Sequence, residues 1–164
     1  MNIDAVTGMF TGIPIDWIIL GALVVLIALD SLRSGIGRAC AIALALPLAF
    51  VLYSQFQKAF FVSQIEILFT NQLAQAGVFI LLSLAAYILV RRMASDYIDS
   101  GTGEPIQALL AGGAATIVCI VIYLQVPVFD SLWHLSDRVQ AVFSESYRLW
   151  WLLGAYIGLA FARG

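Results

Sequence analysis

Few side chains in this sequence could do chemistry, and their spacing narrows what that chemistry is. His134 is the one histidine, and Cys40 and Cys119 are the two cysteines. A metal centre or a nucleophile with its base needs several such groups within reach of one another. Here both thiols fall inside apolar runs, where cysteine behaves as a small buried hydrophobe, and His134 falls on the polar side of an amphipathic segment as a solvated residue. The expectation is therefore no catalytic residue, no metal, no cofactor and no enzyme activity. What remains is a compact charged break, Asp30-Ser31-Leu32-Arg33-Ser34-Gly35-Ile36-Gly37-Arg38. Its chemistry is ion pairing. Asp30 has Arg33 three residues on along the same helix face as its nearest partner, and Arg38 beyond the glycines. This hinge reads either as an interfacial ion pair with a structural role or as an ionisable site lining a path or a partner surface.

The elements that hold the hinge are apolar. The chain is 62% hydrophobic and 11% charged, with mean hydropathy +0.98, against about 25% charged residues in an ordinary soluble domain. Such a sequence faces lipid. A net charge of -2 and a pI near 5.1 leave no basic face for nucleic acid. Residues 1–14 hold no Lys or Arg, so the positive start of a cleavable signal peptide is absent; Ile3, Val6, Phe10 and Ile13 are spaced as a loose helix at the membrane surface, and the Gly8/Gly12 pair carries no functional weight. The expected fold is all-α: a single polytopic integral membrane domain with four to five transmembrane helices plus an interfacial amphipathic helix. The spans are placed at about 15–32, 39–57, 70–90 and 105–129, the amphipathic helix at 131–147, and a short possible fifth span at 149–162. Segments 58–71 and 91–104 read as an interfacial connector and a second charged loop.

Two features within the spans bear on position and packing. Asp16 and Asp30 are 14 residues apart, about 21 Å of helix, so both cannot reach water across a hydrocarbon core of about 30 Å. Either the bilayer thins or one carboxylate finds a partner below the headgroups. In the second span Pro47 removes the hydrogen bond to the carbonyl of Ala43 and predicts a kink. Small residues that favour close helix approach in membranes recur as Ala41, Ala45 and Ala49, in the patch around Gly112, and as Gly154, Gly158 and Ala162. They serve either packing within the chain or docking of a membrane partner or a second copy.

Arg33 and Arg38 share one side of the membrane with Arg91 and Arg92, against Lys58, Arg138 and Arg148 opposite. The positive-inside rule makes the arginine-rich side cytoplasmic and the N-terminus external. With Asp16 opening the first span, Arg33-Ser34-Gly35-Ile36-Gly37-Arg38 at the hinge and Ala111-Gly112-Gly113 in the fourth span, the chain resembles the colicin V production protein (CvpA) family over most of residues 14–129. It departs from that family in Ala39, where an acidic or amide residue often follows the hinge arginine, and in the tail from Leu149. The resemblance implies a small protein of the bacterial inner membrane, linked to toxin production or export and to envelope maintenance, without a defined catalytic activity. The expected function is a non-catalytic accessory or scaffold subunit of a membrane assembly; the alternative is a small channel or transporter that uses Asp30, Arg33 and Arg38.

Overall fold

The computed structural model describes residues 15–58, 71–93 and 105–163. Every element among them is a helix: α1 (Ile15–Ser34), α2 (Gly37–Phe56), α3 (Gln72–Met93), α4 (Pro105–Gln125), α5 (Pro127–Leu132), α6 (Asp137–Val142) and α7 (Glu145–Arg163). Four of them, α1 to α4, are long and apolar enough to cross a membrane. The chain is an all-α polytopic membrane protein. The surface segment read into residues 1–14, most of the connector at 58–71 and most of the charged loop at 91–104 lie outside the described residues.

These helices form where lipid leaves the backbone no other donor or acceptor than its own, and they stop where the sequence supplies a break. Gly35, at φ 85°, ends α1 in the left-handed region that glycine enters without strain, and α2 starts two residues later. At the other end of the bundle Val126 is extended (φ −97°, ψ 104°) because Pro127 follows it. The fourth span therefore closes at Gln125 rather than at 129. The third helix runs on past Val90 to take Arg91 and Arg92 into its last turn, where cations suit the carbonyl end of the dipole.

α4 is the hub. It packs against α1, α2 and α7, while α3 lies outside α2 and touches α5 at its start. The core along α4 is made of Ala111, Ala114, Ala115, Val118 and Ile122. Phe143, Trp151 and Leu152 pack with Ile120 and Val121, and Gly158 meets Ala114, so α7 runs along α4 in the opposite direction. On the side away from the hinge a ladder of rings ties four elements together. Tyr53 meets Phe79 edge-on at 5.5 Å, Phe79 meets Phe129 edge-on at 5.3 Å, and Phe129 stacks on Tyr123 at 5.2 Å.

The amphipathic helix expected at 131–147 is corrected by the structure. That stretch is divided among the end of α5, an extended segment at 133–136, α6 and the first turn of α7. The apolar spacing is present, with Val139 and Phe143 buried, but side chains outside the segment take up its backbone groups. The Tyr123 hydroxyl donates to the Trp133 carbonyl at 2.8 Å, and Trp151 Nε1 donates to the Val142 carbonyl at 2.8 Å. With those carbonyls satisfied by distant donors, an unbroken helix loses its advantage.

Candidate functional site

The hinge comes together as an ion pair across the turn. Arg38 Nη1 donates to Asp30 Oδ1 at 2.9 Å, with both side chains a little over two-fifths exposed. Arg33, the nearer residue in sequence, is exposed. The reason is the turn itself: Gly35 reverses the chain within two residues, so Arg38, in the first turn of α2, stands opposite the last turn of α1. Gly37 and Ile36 are buried beneath the pair, and Ser31 next to Asp30 is fully buried.

At the opposite end of α1 the second carboxylate has found its partner. Asp16 is 5% exposed, and its Oδ2 accepts the backbone N–H of Ser136 at 2.7 Å. A carboxylate so enclosed is stable only where donors converge on it, and the extended segment between α5 and α6 supplies one. This latch closes the far end of the bundle over a mainly apolar cleft of about 270 Å³, lined by Asp16, Leu20, Leu23, Cys119, Tyr123 and Trp133. His134 does not line it; the residue is exposed, with Nδ1 2.9 Å from Asp130 Oδ1. In the sequence the short separation of Asp16 and Asp30 signals this latch, but it carries no information about a partner 120 residues away.

The small residues divide into two groups. Ala41, Ala45 and Ala49 are all buried, and the last two pack with Ala86 of α3. Gly112 is where α1 and α4 touch backbone to backbone: a Cβ there would lie 2.8 Å from Ala28 N and 2.9 Å from the Val24 carbonyl oxygen. On α7 the four-residue stripe splits. Ala162 is fully buried and Gly158 faces Ala114, at 3.9 Å from a built Cβ, but Gly154 is exposed with nothing within 4 Å. It sits in an open groove of about 520 Å³ with Val142, Tyr147, Trp150 and Trp151.

One contact explains how α2 tolerates its proline. Pro47 has no N–H to give the Ala43 carbonyl four residues earlier, yet α2 continues through it as one helix. The Tyr156 hydroxyl of α7 donates to that carbonyl at 2.9 Å. In a bilayer interior no water could replace it.

Among the described residues no three His, Cys, Asp or Glu side chains gather as a metal site would need. No protein-family model, no curated protein and no solved structure matches this chain.

Proposed function

We propose that this chain is a non-catalytic accessory or scaffold subunit that binds other membrane proteins sideways, through the groove around Gly154 on α7. The observation that carries this reading is the division of the small residues. Six of the seven expected at packing or docking positions, all but Gly154, face neighbours within the chain or are buried, whereas Gly154 leaves an open trough in a flank made of Leu153, Ile157 and Phe161, which are themselves exposed. A trough in an apolar helix face is what a second helix needs to approach closely in lipid. In this reading α7 is the fifth crossing, supported by its contact with Ala43, well inside α2.

The hinge with Arg33 and Arg38 and the end of α3 with Arg91 and Arg92 are proposed to be cytoplasmic, the N-terminus external and the membrane the bacterial inner membrane. The proposed likeness to CvpA proteins, with its link to toxin production or export and the envelope, rests on the sequence marks alone; in this chain Asp16 forms the latch, Arg38 the hinge pair and Gly112 a close crossing of α1 and α4. Against a channel through Asp30 and Arg38 stands the crossing at Gly112, where two backbones in contact close the space between α1 and α4. A photo-crosslinking residue at Gly154, activated in native membranes, is expected to form adducts with a membrane protein or a second copy, and one at Ile18 on α1 is not. Solute flux above empty-liposome background by the purified, reconstituted chain would instead support the channel.

A further inference from the structure

α4 and α7 leave between them a second groove, of about 590 Å³, on the side away from the hinge. Its polar lining is Gln125, Glu145 and Arg148, and its apolar lining includes Leu149, Leu152 and Tyr156. The two kinds lie at different depths. Gln125 closes a 21-residue span, about 31 Å of helix against a hydrocarbon core of about 30 Å, so the polar end stands at headgroup level. Tyr156, two turns beyond Arg148, lies about 12 Å deeper.

Arg148 is held in place. Its Nε donates to the Phe143 carbonyl at 3.2 Å and its side chain is only 21% exposed, which fixes the plane of the guanidinium. Its Nη1 stands 3.9 Å from Glu145 Oε1, too far for a hydrogen bond, and Glu145 is 89% exposed. An anchored cation, an amide and an open carboxylate thus stand side by side above an apolar trough. That arrangement complements an amphiphile carrying both an anion and a cation at its head, since a guanidinium takes phosphate oxygens and basic pockets between membrane helices take lipid headgroups.

We propose that this groove binds a phospholipid with a primary-amine headgroup, its phosphate on Arg148 and Gln125, its ammonium on Glu145, and one acyl chain along Leu149, Leu152 and Tyr156. A phospholipid with a purely anionic head satisfies Arg148 but leaves Glu145 facing a group of no opposite charge, so Glu145 sets the preference.

The full chain, delipidated in mild detergent, is offered phosphatidylethanolamine, phosphatidylglycerol or diacylglycerol at equal concentration, and retained lipid is counted by native mass spectrometry. Phosphatidylethanolamine is expected to be retained over phosphatidylglycerol by about threefold to fivefold, the size of one exposed ion pair, and diacylglycerol least. Glu145→Gln alters an exposed side chain and should leave the fold intact while erasing that preference. Arg148→Gln should lower retention of both phospholipids towards that of diacylglycerol. Equal retention of all three lipids by the unaltered chain, or a preference that survives Glu145→Gln, overturns the proposal.

Discussion

Replacing Tyr156 with Phe removes one hydroxyl, and with it the donor to the Ala43 carbonyl that Pro47 leaves without a helical partner. Ala43 is fully buried, so no other donor is at hand. An unsatisfied buried acceptor costs about 1–3 kcal/mol in water-soluble proteins, whereas hydrogen bonds between membrane helices average about 0.6 kcal/mol and reach about 1.7. A carbonyl with no helical bond of its own belongs near the upper part of that range, so Tyr156→Phe is expected to cost about 1–1.5 kcal/mol. Pro47→Ala provides the internal control. It restores an N–H four residues after Ala43, and in that background Tyr156→Phe should cost only a few tenths of a kcal/mol, because the carbonyl keeps a donor. The coupling energy of the cycle is then about 1 kcal/mol, above the ~0.3–0.5 kcal/mol scatter of independent sites. Reversible unfolding in mixed micelles with increasing SDS, followed by far-UV circular dichroism, measures all four variants. Equal costs of Tyr156→Phe with and without Pro47 would refute the reasoning, as would no cost at all.

Gly112→Ala puts a methyl about 0.6 Å inside the 3.4 Å edge of ordinary contact with the backbone of α1 and is expected to lose about 1–3 kcal/mol by overpacking. Its neighbour Gly113→Ala meets nothing within 4 Å and should be neutral or stabilising in the same SDS titration. Asp16→Ala removes the charge-assisted bond to Ser136, worth about 1.5–3 kcal/mol; hydrogen exchange should quicken at the Ser136 amide and stay unchanged at the hinge. Asp30→Ala and Arg38→Ala should couple by less than about 1 kcal/mol, since both groups are partly solvated, and a double-mutant cycle with Arg33→Ala in place of Arg38→Ala should show no coupling.

The spans were legible because lipid imposes one rule on every residue that crosses it; several of their ends moved, among them those at Pro127 and at Arg91 and Arg92, where a local signal was under-read. The hinge was legible as a turn and its ion pair as Asp30 with Arg33 or Arg38, Arg33 being nearer on helical spacing; Arg38 is the partner because Gly35 brings α2 back beside α1. Spacing along one helix carries no information about such a return. The same limit explains the segment at 131–147. Its apolar periodicity suited a helix, yet Tyr123, Trp151 and Asp16, all outside it, take up the Trp133 and Val142 carbonyls and the Ser136 N–H. The small residues were legible as contact points, and the orphaned Ala43 carbonyl as a gap. Which helix would fill each was not, because that depends on how α7 lies against α4 and α2.

The claim that the chain works by lateral docking is tested most directly by Gly154→Leu. A built Cβ at Gly154 meets nothing within 4 Å, so the larger side chain should leave the subunit folded, with an unchanged SDS midpoint. It should also fill the trough between Tyr147, Trp150 and Trp151. In native gels of gently solubilised membranes the account predicts that the unaltered chain migrates in an assembly larger than one subunit and that Gly154→Leu migrates as the free, folded subunit. An altered chain that keeps every association of the unaltered one would contradict it.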